Sequence, residues 1–208
     1  MGECCCGKTL EIRALQARQR RVLVAVMAIN AATFAMMVAA AWWSNASSLL
    51  SGALDNLGDA LTYALSLTVI GAGLRAKARV AVFKGLLILA AAVTVAVQIG
   101  WRLANPAVPL FEAMGAAALL NLGFNLLCLW LLAPHRHGDV NMASAWECSR
   151  NDVYEGVAVI LATLGVWAFG SGWPDLVVAS ALLLLFLRSA LRVLRSAWTE
   201  LQRAPAAG

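Results

Sequence analysis

The chain has 208 residues, 62% hydrophobic and 13% charged, with a formal net charge of +5 and a mean hydropathy of +0.77. Soluble domains carry about 25% charged residues, so lipid is the solvent for most of this chain, and its length holds one membrane domain and no large soluble one. Its five cysteines exclude a secreted disulfide framework, because Cys4, Cys5 and Cys6 are adjacent and Cys128 and Cys148 lie in apolar stretches.

Residues 1–21 are polar and basic, which argues against a removable signal peptide and for a cytoplasmic cysteine-containing tail. Six apolar segments follow, over about 22–43, 47–73, 78–101, 109–132, 142–169 and 173–197, each long enough to cross a hydrocarbon core of roughly 30 Å. The breaks "SNASS", "GLRAKAR", "ANPAVP", "APHRHGD" and "GSGWP" have turn chemistry. The expected organisation is therefore an all-α polytopic membrane protein, with a six-helix transport domain over 22–197 and a short cytoplasmic tail over 198–208. An even number of spans puts both termini on one side. All the lysines and arginines except Arg102 and Arg150 fall on that side or in the first turns next to it, so the positive-inside rule makes it the cytoplasm. The same bias accounts for the net charge without a nucleic-acid partner. Trp42, Trp43, Trp101 and Trp173 fall at outer ends and Trp198 near an inner end, as interfacial anchors do.

Carboxylates inside a span are costly and by default mark a functional site. The second segment carries Asp55 and Asp59 in "SLLSGALDNLGDALTYAL", and the fifth carries Cys148, Asp152 and Glu155 in "WECSRNDVYEG". Spacing of four stacks Asp55 on Asp59, and Cys148 on Asp152, along one helix face. At about 1.5 Å per residue both pairs fall near the middle of the membrane, roughly 10–20 Å from a surface. Two facing helices then converge carboxylate oxygens and a thiolate on one point, a set suited to a tetrahedral divalent cation. Without metal, some of these carboxyls hold protons, and metal binding releases them. That is the minimal chemistry of a cation/proton exchanger. A single intramembrane Asp is also a helix-pairing device, and a single Cys is commonly a small buried hydrophobe.

These residues resemble the cation diffusion facilitator family. "SSLLSGALDNLGDAL" is similar to its second-helix signature. "WECSRND" resembles a bacterial subgroup with Cys148 where most members have His, and "WPDLVVASALLLLFLRSALRVLRSAW" fits the last helix. The resemblance covers roughly residues 20–200. It implies a homodimer in the plasma membrane of a bacterium that exports divalent transition metals in exchange for protons, with Asp55, Asp59, Cys148 and Asp152 as the ligands. Most members also carry a folded cytoplasmic C-terminal domain, which these 208 residues are not expected to include. Thiolate favours zinc and cadmium over manganese or magnesium, while three carboxylates keep cobalt and ferrous iron within range; zinc is the expected substrate, with cadmium as co-substrate. No organic cofactor is called for.

Secondary candidates surround this set. Glu155 reads either as a proton acceptor on the release path or as a carboxyl packed against a polar neighbour such as Asn125. Glu147 reads as an entrance carboxylate or a solvated one, with Arg150 paired to Glu147 or Glu155. Cys4, Cys5 and Cys6 offer thiolates for metal capture, or are incidental or lipidated. His135 and His137, with Asp139, form a short candidate site or a solvated loop. Asn30, Gln98, Asn121 and Asn125 are expected to hydrogen-bond between helices, with Asn30 or Asn125 alternatively lining the path. Gly85, Ala179 and Ala181 offer small-residue packing for a dimer. "CCCGKT" lacks the glycine spacing and preceding strand of an ATP-binding loop, so the expected protein is a transporter rather than an enzyme. Two rivals remain at this level: a proton-coupled exporter of organic cations, insensitive to Cys148→Ser, and a membrane metal sensor or donor, which needs Gly2–Gly7 but not Asp55.

Overall fold

The computed structural model describes residues 4–68, 74–136 and 140–203. They form six long helices: α1 (Cys4–Ser44), α2 (Ser47–Thr68), α3 (Leu74–Ala104), α4 (Phe111–Leu132), α5 (Val140–Phe169) and α6 (Trp173–Arg203). A 3-10 turn, Ala133–His135, follows α4. The described breaks at 45–46, 105–110 and 170–172 fall where turn chemistry predicts them, and "APHRHGD" opens with a 3-10 turn after α4, but "GLRAKAR" is already helical from Leu74 onward, because Leu, Ala, Arg and Lys favour helix. The α1–α2 connection is tight, with Asn45 at φ 58°, a left-handed conformation that Asn tolerates better than most residues. Gly170, also at φ 58°, ends α5, and its N–H returns to the Val166 carbonyl at 2.9 Å, as at many helix C-termini.

Hydropathy underestimates helix length at the end of the bundle that carries the termini. α1 begins at Cys4 rather than near residue 22, and α6 runs on to Arg203. The added turns, such as "TLEIRALQARQRR", are rich in Leu, Ala, Arg, Gln and Glu. These residues favour helix in water as well as in lipid.

Among the described residues, four stretches are long and apolar enough to cross a membrane by composition alone: Ala17–Ser44, Gly85–Ala104, Phe111–His135 and Ala145–Phe169. α2 is not among them for a physical reason. It packs against each of the other five helices, so protein rather than lipid surrounds it, and Ser47, Ser48, Ser51, Asn56 and Asp59 are all buried. A helix enclosed in this way is free to carry polar groups that lipid would reject. Gly85 and Ala179, expected as packing residues between chains, are used within this one. A side chain at Gly85 would run into Leu194 of α6, and Ala179 is fully buried beneath Ser51 of α2, whose hydroxyl donates to the Ala179 carbonyl.

The interior is stratified. Toward the end that holds the α1–α2 turn, Met37, Leu49, Ala53, Met114, Ala118, Val159 and Val166 make one apolar layer. Toward the end that holds the termini, Leu23, Val26, Tyr63, Cys128, Leu132 and Ala145 make a second. On each of α1, α2, α4 and α5, the residues between these layers include buried polar ones: Asn30 and Thr33, Asn56 and Asp59, Asn121 and Asn125, and Asp152. The four helices thus enclose a polar stratum between two dry ones. α3 and α6 pack together beside them and meet α2, with Leu54, Ala92, Val95, Ile99, Ala179 and Leu183 forming the contact.

Candidate metal centre

The polar stratum contains a compact carboxylate cluster. Asp55, Asp59 and Asp152 each place one oxygen within 4.8 Å of the others. Asp59 and Asp152 are buried and Asp55 is half-buried. Spacing of four on α2 aims both its carboxylates at one side, and α5 crosses there. The Asp55 and Asp152 carboxyls approach closely enough across the α2–α5 contact for a proton or a cation to bridge them. Asp152 Oδ2 is buried without a hydrogen-bond partner. Three carboxylates so close, out of water, need protons or a cation to balance their charge. A divalent ion bound at about 2.0–2.2 Å from each oxygen would draw the three together and use the unsatisfied Asp152 Oδ2. The donor set and its spacing therefore fit one cation.

Cys148 lies one turn before Asp152 on α5. It is half-buried, in no disulfide, and outside the mutual 4.8 Å set of the three carboxylates. Glu155 lies one turn after Asp152, is half-buried, and comes within electrostatic reach of Asp55 and Asp59. Asn125 does not hold Glu155: its amide donates to the Asp152 carbonyl at 3.4 Å. Glu147 points elsewhere. It pairs with Arg150 at 2.5 Å, both side chains largely exposed, and the Arg150 guanidinium sits 5.3 Å from the centre of the Trp146 ring.

His135 is buried in the 3-10 turn, while His137 and Asp139 lie outside the described residues. Cys4, Cys5 and Cys6 fall in the first turns of α1, with side chains outside what is described. Among the described residues, no second cluster of metal-ligating side chains accompanies the carboxylates.

Supports for the cluster come from residues that composition does not single out. The Tyr63 hydroxyl donates to Asp59 Oδ2 at 2.8 Å and also reaches the Ala145 carbonyl of α5 at 3.4 Å. Asn56 Nδ2 donates to Asn121 Oδ1 at 2.9 Å. α4 therefore ties itself to α2 through Asn121 and to α5 through Asn125, bracing both helices that carry carboxylates. The available signal for Tyr63 was its spacing of four from Asp59, which shares a helix face. For Asn56 it was an amide inside a span, where hydrogen bonding between helices is the default.

A family model for the cation efflux transmembrane domain matches residues 23–202. No curated protein matches the chain. The matched region includes all three clustered carboxylates, Cys148 and most of the six-helix bundle, and on that match the chain belongs to the cation diffusion facilitator family of membrane cation transporters.

Proposed function

We propose that the chain exports divalent transition-metal cations from the cytoplasm in exchange for protons, with zinc as the favoured substrate, cadmium as a second, and cobalt and ferrous iron within range. The observation that carries this reading is the convergence of Asp55, Asp59 and Asp152 within 4.8 Å between two apolar layers. Cys148, one turn along the same face of α5, supplies the fourth ligand and the soft character that favours zinc and cadmium. A proton held at Asp55 or Asp152 is one that an arriving cation displaces, so metal uptake and proton release are coupled at the same oxygens. Glu155 offers a further carboxyl to that proton. The working form is a homodimer in a bacterial plasma membrane, with both termini and the mainly basic helix ends in the cytoplasm.

Flux assays in proteoliposomes test this. Zinc, cadmium, cobalt and manganese are offered under an imposed pH gradient, and metal uptake and internal pH are followed together. Zinc-dependent proton movement in the wild type, lost in Asp59→Ala, supports the reading. Absence of any metal-dependent proton flux in the wild type sinks it.

A further inference from the structure

Asp175 is a buried carboxylate that the metal site does not use. It lies in the first turn of α6 and is 2% exposed. Its Oδ2 accepts the Ser47 N–H at 2.7 Å and its Oδ1 accepts the Ser48 N–H at 2.9 Å. Both amides open α2, where a helix leaves its N–H groups unsatisfied and its dipole favours negative charge. α2 is therefore capped by a side chain from another helix, 127 and 128 positions away in sequence. Arg102, buried near the end of α3, lies within electrostatic reach of Asp175 and helps balance its charge. One turn deeper, the Ser51 hydroxyl donates to the Ala179 carbonyl at 3.1 Å. Successive turns of α2 are thus bonded to α6 across the seam between the four-helix group and the α3–α6 pair.

These bonds bear directly on the carboxylates. Asp55 follows Ser48 by seven residues, two helical turns, or about 10.5 Å along the same face. Asp59 is one turn further. A continuous helix transmits its axial position and rotation over that distance. We infer that Asp175 is a positioning residue that sets the depth and rotation of α2, and thereby presents Asp55 and Asp59 to Asp152. The inference rests on the three carboxylates being the transport site, but the geometry it claims can be read without metal.

The test pairs two measurements. In the first, the native cysteines are replaced by serine, Asp55→Cys and Asp152→Cys are introduced, and the rate of cross-linking by a short bifunctional thiol reagent is measured with Asp175, Asp175→Ala and Asp175→Asn. A fall of about tenfold in Asp175→Ala is expected, with a smaller fall in Asp175→Asn, which keeps one acceptor. Equal rates in Asp175→Ala and its parent overturn the inference. If Asp175→Ala is not recovered folded, Asp175→Asn decides: slower cross-linking supports, and an unchanged rate overturns.

In the second, with all native cysteines present, the KM for zinc is measured in proteoliposomes. Asp175→Ala is expected to raise it about tenfold, the lower end of what displaced ligand supports do to metal affinity, and Asp175→Asn restores part of it. An unchanged KM beside slowed cross-linking makes Asp175 a structural cap only and also overturns the inference. A wild type that moves no zinc removes the proposed function, while the cross-linking comparison still decides whether Asp175 sets the α2–α5 register.

Discussion

The Tyr63 hydroxyl donates a 2.8 Å hydrogen bond to Asp59 Oδ2 from one turn further along α2. The ring is buried among Val26, Cys128, Leu132 and Ala145, so packing holds the donor in place and the donor in turn selects an orientation of the Asp59 carboxylate. Ligands oriented in this way generally lose 10- to 100-fold in metal affinity when the supporting bond is removed. Tyr63→Phe keeps the ring and deletes only the hydroxyl. It is expected to weaken zinc binding by about tenfold and to cost about 1 kcal/mol of stability. Calorimetric titration of zinc beside thermal unfolding of the same sample checks both. Wild-type zinc affinity in a folded Tyr63→Phe protein removes Tyr63 from the support of the site.

Asn56 and Asn121 form a buried amide pair between α2 and α4 at 2.9 Å. Removing one partner strands the other in a dry interior, whereas removing both leaves an apolar contact. Asn121→Leu is therefore expected to destabilise the bundle by about 1–2 kcal/mol, and Asn56→Leu by a similar amount. The double variant should recover part of the loss. Denaturation in mixed micelles, run as a double-mutant cycle, measures the coupling. Strict additivity of the two losses shows that the amides do not act as a pair.

The parts of this molecule that were legible in sequence are those with a strong physical cost behind them. Carboxylates in apolar helices are expensive, so Asp55, Asp59 and Asp152 stood out, and their spacing on two helices foretold the cluster. Turn residues marked most of the helix breaks for the same kind of reason, but not the one expected at "GLRAKAR", where Leu, Ala, Arg and Lys favour helix. The full lengths of α1 and α6 were not legible, because hydropathy responds to lipid, while their added turns are polar and basic residues that favour helix. Tyr63 did not stand out because a tyrosine in an apolar helix violates no rule until its hydroxyl partner is known. Asp175 was not singled out, since nothing in a sequence says that a carboxylate caps a helix more than a hundred residues away. The offset of Cys148 from the carboxylate cluster depends on the rotation of α5, which spacing alone leaves open.

Glu147 and Arg150 satisfy one another near the end of α5 that faces the termini, with Trp146 beneath the guanidinium. An exposed pair three residues apart contributes little to stability, and a carboxylate already matched by arginine is a weak lure for a second cation. Glu147→Gln and Arg150→Gln are each expected to leave the zinc KM within about twofold of wild type, since screening at physiological salt flattens the field of exposed charges beyond about 8 Å. Initial flux rates at low and high ionic strength make the comparison. A KM that rises severalfold in Glu147→Gln at low salt, and converges with wild type at high salt, restores Glu147 as an entrance residue.

Cys148 is the position where the chemistry of the substrate can be read most directly. Thiolate is softer than imidazole, and cadmium gains more from that softness than zinc does. Cys148→His puts a neutral nitrogen ligand at the same turn of α5, so zinc transport should survive while the ratio of cadmium to zinc flux falls by several-fold. Cys148→Ser, with a hard and weakly coordinating hydroxyl, should lower both fluxes and cadmium more than zinc. Competition assays with both metals in one proteoliposome sample avoid differences in protein yield between variants. An unchanged cadmium-to-zinc ratio in Cys148→His means that the sulfur does not meet the metal. Selectivity then resides in the three carboxylates, and the offset of the thiol from their cluster persists in the metal-bound form.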